Sequence, residues 1–313
     1  MLLKHLINPK PSILIFFLIF CVIINSTPIL VNLENINTLY GSSGFNKYLF
    51  FLLSMLIPFF IGNGLNNMIY EKNVLKKESV VISFVYVALT APFFKSIYLG
   101  VASVLMLFLF SNMIDGYQKE QPFTQYFNSS FILGVLILFA PNLIFLLILL
   151  YINGINYSNL NLRSILITIL GLIIPYTFYC MYLFLFDKEI IIPFDFDTSI
   201  LELQNLTLTL YQKIWLIILF IISLFSFIEL FIWLYKKSIK SRKTFMTIIW
   251  FFIITIFISY AFDYRYVYIA MMPLTIILSN FFVYAKNRLI ANASFFLLLT
   301  SSLFYKFMIG YNV

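Results

Sequence analysis

The sequence predicts an all-α fold, a polytopic transmembrane helical bundle of about eleven helices that includes one short helical hairpin. Three observations predict it. First, 62% of the 313 residues are hydrophobic and only 10% are charged, with a mean hydropathy of +1.00. A soluble chain carries about 25% charged residues, because its surface needs them. Second, apolar runs of roughly 18 residues or more recur along the chain, long enough to cross a bilayer as helices. Third, runs such as residues 214–233 do not alternate polar and apolar positions. That excludes the strands of a membrane barrel and leaves helices, whose backbone groups pair internally.

The elements follow from runs, prolines and loop charges. Residues 11–30 form a first helix, preceded by Lys4, His5 and Lys10. That start imitates a secretory signal, but Asn25-Ser26-Thr27-Pro28 lacks a small-x-small cleavage site, so the helix is expected to be retained. A second helix covers 46–65, and a charged loop with Glu71, Lys72, Lys76, Lys77 and Glu78 follows. The apolar block 79–113 is too long for one crossing at about 1.5 Å per residue, and Pro92 and Lys95 divide it into two helices. Later helices are expected at 163–186, 213–235, 245–262, 266–284 and 290–308.

Residues 128–153 admit two readings, one long helix or a hairpin of two short ones broken at Ala140-Pro141. Charge decides between them. The basic cluster Lys236, Lys237, Lys240, Arg242 and Lys243 and the loop at 66–78 both belong on the cytoplasmic side. An even number of crossings must separate them, which requires the hairpin, spanning or re-entrant. The amino terminus is then cytoplasmic, and the acidic loop 187–212 is external. Within that loop Ile200, Leu203, Leu206 and Leu210 keep helical spacing suited to an interfacial helix, while Leu206, Leu208 and Leu210 also alternate.

Composition excludes several classes of function. The net charge of +8 sits in short loops, so it reads as a determinant of orientation and not as a nucleic-acid surface. Cys21 and Cys180 lie inside apolar runs, and His5 is the single histidine, so no disulfide framework or metal centre is expected. No Gly-rich nucleotide motif or Ser/His/Asp arrangement occurs. No acid or base is expected in the middle of a helix, which argues against a proton-coupled transporter.

The candidate site residues lie at the expected outer face. Glu34 could serve as a general base, or be a solvated loop acid. Asp195 and Asp197, between aromatic neighbours, could hold a divalent cation, or simply follow the turn at Pro193. Lys95 and Arg265 suit a lipid phosphate, or the snorkelling of long basic side chains at helix ends. Asp263-Tyr264-Arg265-Tyr266 suits a headgroup clamp or a structural ion pair.

Residues 125–187 carry the most distinctive text, with Phe127, Phe131 and Gly134 starting one helix, a following proline, and Asn161 and Arg163 before the next. Together with residues 67–75, this resembles a family of Bacteroidota inner-membrane proteins of unassigned function. More distantly it resembles the C-type integral-membrane glycosyltransferases, on Pro92, Lys95, Gly134, Ala140-Pro141, Arg163, Gly171 and Pro175. The resemblance implies one membrane domain over 1–313, with a glycosyltransferase-like helical module at 1–186, an external loop at 187–212 and further helices at 213–313. It also implies residence in the bacterial inner membrane and a polyprenyl-linked sugar handled at the outer face. One departure is plain: those enzymes place a catalytic acid in a long first outer loop, whereas here that loop is residues 31–45 and its one acid is Glu34. A non-catalytic membrane subunit or scaffold of a cell-envelope complex, with a membrane protein partner, is therefore the alternative expectation.

Overall fold

A computed structural model describes residues 2–7, 9–31, 44–93, 97–188, 209–262 and 266–312. Twelve α-helices occur among them: α1 (Leu2–Leu6), α2 (Ser12–Val31), α3 (Gly44–Glu71), α4 (Val81–Thr90), α5 (Ile97–Asp115), α6 (Phe123–Phe139), α7 (Leu146–Tyr157), α8 (Leu162–Leu185), α9 (Leu210–Leu234), α10 (Ile239–Ala261), α11 (Val267–Tyr284) and α12 (Arg288–Asn312). A 3-10 turn, Pro141–Phe145, stands between α6 and α7. Six of these helices, α3 and α8 to α12, contain a stretch long and apolar enough to cross a membrane. The chain is a multi-pass membrane protein by helix length and hydropathy.

The chain divides into two compact units. Unit 1 comprises Met1–Gly100, Asn205–Ser238 and Met271–Val313. Its α4 is buried at all ten positions, and α3 closes on it where Gly62 lies. Ser83 Oγ donates to the Gly62 carbonyl (3.1 Å), and a Cβ on Gly62 would meet the Phe17 ring and the Ser83 backbone at 3.3 Å. The ring of Phe17 on α2 stacks on Phe59 and tilts against Phe84. Helix α4 stops just before Pro92, whose ring excludes a continuing helix. A carbonyl freed there, that of Ala91, accepts a 2.8 Å hydrogen bond from the buried Lys306 ammonium of α12. Helices α9 and α12 meet where Trp215 Nε1 donates to Ser302 Oγ (3.1 Å) and its ring stacks on Tyr305.

Several segments gather at the other end of unit 1. The Val80 N–H donates to the Leu6 carbonyl (2.9 Å), Ile7 and Ser79 form an antiparallel bridge, and the Leu3 N–H donates to Asn292 Oδ1 (3.2 Å). The amino-terminal segment, the loop after α3 and the start of α12 therefore lie together.

Unit 2 comprises Val101–Gln204 and Ile239–Ala270. The block 128–153 is two helices and not one. Helix α6 ends at Ala140, whose φ of −147° and ψ of 86° leave the helical region, and Pro141 opens the 3-10 turn. The chain folds back, so that the Tyr126 hydroxyl, near the start of α6, donates to Asn159 Oδ1 just past the end of α7 (2.9 Å). Ser158, left-handed at φ 58°, ends α7 and lets the Asn159 N–H return to the Gly154 carbonyl. The stretch Pro141–Tyr157 is shorter than the roughly 20 residues of a standard crossing.

Helices α6 and α8 pack through small residues. A Cβ on Gly134 would lie 2.9 Å from the Leu172 carbonyl oxygen and 3.0 Å from the Pro175 ring. One on Gly171 would overlap Ser130 Oγ and lie 2.9 Å from the Phe127 carbonyl oxygen. This is the small-xxx-small contact of membrane helices, in which the backbones themselves approach. Helix α8 begins with a capping box, Asn161 Oδ1 accepting from the Ser164 N–H (2.7 Å) and Ser164 Oγ accepting from the Asn161 N–H (3.0 Å).

Three expectations change. The second helix runs on to Glu71 and not 65, because Leu65, Met68 and Ile69 keep a buried face inside polar text. Helix α10 starts at Ile239, before the expected 245, for the same reason: Ser241, Thr244 and Phe245 are buried. The amino-terminal segment adds the short α1, anchored by buried Leu3 and Leu6. The charged side chains Glu229 of α9 and Lys306 of α12 lie in the last two turns of their helices. The suggested interfacial helix in 187–212 falls almost entirely outside the described residues.

Candidate lipid-headgroup site

The cationic end of unit 1 is built from three chain segments. Helix α3 ends at a left-handed Asn73 (φ 58°), with the Val74 N–H returning to the Ile69 carbonyl (3.0 Å). That termination turns Val74 and Leu75 inward and delivers Lys76 and Lys77 to the last turn of α11. There the Lys76 N–H donates to the Tyr284 hydroxyl (3.0 Å). Helix α9 ends close by in a tighter turn: the Lys236 and Lys237 N–H groups return to the Trp233 and Leu234 carbonyls, and Lys237 folds back over the ring of Trp233.

The Lys237 ammonium lies 4.1 Å from the Trp233 ring centroid and 4.2 Å from that of Tyr284. Lys77 approaches the same Tyr284 ring at 5.1 Å, and the two rings are 4.9 Å apart. Ring quadrupoles attract both ammoniums, but the cations also repel one another. Burial, and then the charges of Lys76 and Lys77, push the Lys237 pKa below its ordinary value. No carboxylate among the described residues pairs with Lys77 or Lys237. Two ammoniums held by aromatic side chains at a helix end are an arrangement whose charge is complementary to an anion such as a phosphate.

Unit 2 carries the other polar concentration, and it is closed. Asn153 Nδ2 donates to the Met113 carbonyl (3.2 Å), and its Oδ1 accepts from Thr247 Oγ1 (3.0 Å). Asn156 Nδ2 donates to the Lys243 carbonyl (2.6 Å) and to Thr247 Oγ1 (3.1 Å). Asn159 Nδ2 donates to the Gly116 carbonyl (2.9 Å). The cavity beside this network, lined by Asn112, Gln125, Ser129 and Asn153 among others, holds about 10 Å³, room for a water molecule.

The residues singled out from the sequence, Glu34, Lys95, Asp195, Asp197 and Arg265, all lie outside the described residues. Among the described ones, no group of three His, Cys, Asp or Glu side chains could hold a metal ion. The residues that carry the family resemblance have packing and capping positions. Gly134, Gly171 and Pro175 form the α6–α8 contact, Asn161 caps α8, Arg163 covers the Phe123 ring at 4.5 Å, and Phe127 stacks on Phe131. The Lys77–Lys237–Tyr284 convergence was not foreseen. Its one sequence signal was basic residues beside aromatic ones at the ends of apolar runs.

These features define a class, a multi-pass helical membrane protein with a cationic, aromatic-lined helix end. Within that class the chain belongs to a family of unknown function, DUF6427, whose model matches residues 1–311. No curated protein and no solved structure matches it.

Proposed function

We propose that this protein is a non-catalytic inner-membrane subunit or scaffold of the cell envelope that holds a phosphate-headed lipid at its basic end. One observation carries the reading: Lys77 and Lys237, from distant parts of the chain, converge on Tyr284 without a carboxylate partner among the described residues. The segments gathered around them are rich in basic residues, so this end is cytoplasmic and the amino terminus with it. The packing positions of Gly134, Gly171 and Pro175 support a frame more than a reaction centre.

The test uses the full-length protein, delipidated in mild detergent and reloaded from phosphatidylcholine vesicles doped with phosphatidylglycerol. Native mass spectrometry reads the bound lipid. A lysine near an anionic lipid surface contributes about 1 kcal/mol, so Lys77→Gln and Lys237→Gln should each lower phosphatidylglycerol retention about fivefold. Unchanged retention in the double variant defeats the reading.

A second reading is favoured by the helix break at Pro141, one of the positions that carry the resemblance to the C-type glycosyltransferases. It is transfer of a polyprenyl-linked sugar at the outer face, with Glu34 as base, Asp195 and Asp197 on a divalent cation, and Lys95 and Arg265 on the lipid phosphate. Sugar transfer from a lipid-linked donor by the reconstituted protein, lost on Glu34→Gln, would establish it. Absence of any transfer leaves the scaffold, whose membrane protein partner should co-purify after cross-linking in native membranes.

A further inference from the structure

Beside the basic end of unit 1, helices α9 and α12 enclose an open apolar trough in two chambers. The chamber nearer the lysines holds about 340 Å³, with Ile222 and Phe281 as floor and Ile221, Phe225, Ala293 and Leu297 among its walls. The second holds about 260 Å³ and reaches Tyr211 and Phe304. Both chambers are lined by Ile218 and Leu297, so they form one continuous path. The path begins one turn from Tyr284, at Phe281, and just past Arg288, at Ile290.

Resting on the headgroup reading above, we propose that this trough seats one hydrocarbon chain of the same phosphate-headed lipid. Three features support that occupant. The trough wall at Phe281 lies one helical turn from Tyr284, the ring on which Lys77 and Lys237 converge, so the head and chain sites adjoin on α11. Its surface is apolar even where hydroxyls line it: Ser294 donates to the Ile290 carbonyl (2.8 Å), Thr300 to that of Phe296 (3.0 Å) and Ser301 to that of Leu298 (3.0 Å). Hydroxyls turned onto their own helix leave methyl and methylene groups facing the trough. Finally, Ile290 to Phe304 spans about 21 Å along a helix, more than half of a hydrocarbon core of about 30 Å. A chain seated there crosses the bilayer midplane, and long chains gain the most contact.

The test places the full-length protein in phosphatidylcholine vesicles with phosphatidylglycerol that carries a diazirine near the end of one acyl chain. Photolysis should attach the probe to α9 and α12 around Ile218 and Leu297, and unlabelled long-chain phosphatidylglycerol should compete better than a short-chain form. Ala293→Phe, which fills the trough from its exposed wall, should lower retention about tenfold. Cross-links scattered over all lipid-facing helices, or equal competition by short chains, overturn the trough. If Ala293→Phe retains lipid fully while the lysine variants lose it, the headgroup reading stands and the chain seat falls. If neither substitution matters, both fall. Should Ala293→Phe fail to fold, the cross-link map of the unaltered protein decides alone.

Discussion

In unit 2 the carboxamides of Asn153, Asn156 and Asn159 each make two hydrogen bonds to neighbouring chain, and the space left beside them fits about one water molecule. In unit 1 the concentrated polar groups are ammoniums, held by rings and facing one another, with a trough of several hundred Å³ alongside. The first arrangement satisfies itself and gains rigidity. The second leaves like charges close together, and on the proposed headgroup reading an anion would complete it. Polar content alone would have ranked the asparagine network first.

Substitutions should separate the two units in the same terms. The largest effect is expected at Gly171→Ala in unit 2, where the new methyl meets the Phe127 carbonyl, a backbone atom that cannot swing away. Thermal unfolding in detergent should report a loss near the upper end of the about 1–3 kcal/mol typical of overpacking. Gly62→Ala in unit 1, whose nearest atoms stand at 3.3 Å, should cost about 1 kcal/mol or less. Equal losses would break the contrast in packing.

Asn153→Leu should follow, at about 1–2 kcal/mol, since it removes two buried hydrogen bonds, one to the Met113 carbonyl and one from the Thr247 hydroxyl. The matching change in unit 1, Lys237→Gln, should leave the melting temperature unchanged or raise it, because it removes a repelled cation. A clear loss of stability there would show that the lysines serve structure and not an anion.

The smallest effect concerns protonation. The Lys237 pKa is pushed below the ordinary 10.5 in the folded protein, so the unfolded chain binds more protons between those two values. Stability without lipid should therefore rise with pH through that window, while phosphatidylglycerol retention falls as Lys237 loses its charge. Lys76→Gln removes one of the repelling charges and should move the Lys237 titration upward, as read by NMR of reductively methylated lysines. A titration that stays in place would exclude Lys76 as a neighbour in solution.

Much of the fold was legible because lipid forces simple rules on a chain. Pro141 announced the break between α6 and α7, since it has no N–H to donate and disfavours helix in the residue before it. Their basic residues placed the loop after α3 and the turn after α9 on one side, and Lys77 and Lys237 do share one tyrosine ring. Helix ends were less legible. Asn66 and Asn67 look like loop, yet Leu65, Met68 and Ile69 hold that turn in helix through burial that only the fold supplies. The basic site was illegible because it joins residues far apart in sequence, each unremarkable alone. Lys306 reads as an ordinary lysine near a helix end until the carbonyl of Ala91 is found opposite it.

That last contact bears on how the protein is made. Helix α4 emerges early from the ribosome, but its Ala91 carbonyl waits for an ammonium some two hundred residues downstream. Unit 1 is discontinuous, and its first hundred residues are completed only by its last segment, whereas the second segment of unit 2 ends at Ala270. Biogenesis should therefore finish unit 2 while unit 1 is still open at Ala91. Until Lys306 arrives, the Ala91 carbonyl of that half-assembled chain has no ammonium from which to accept.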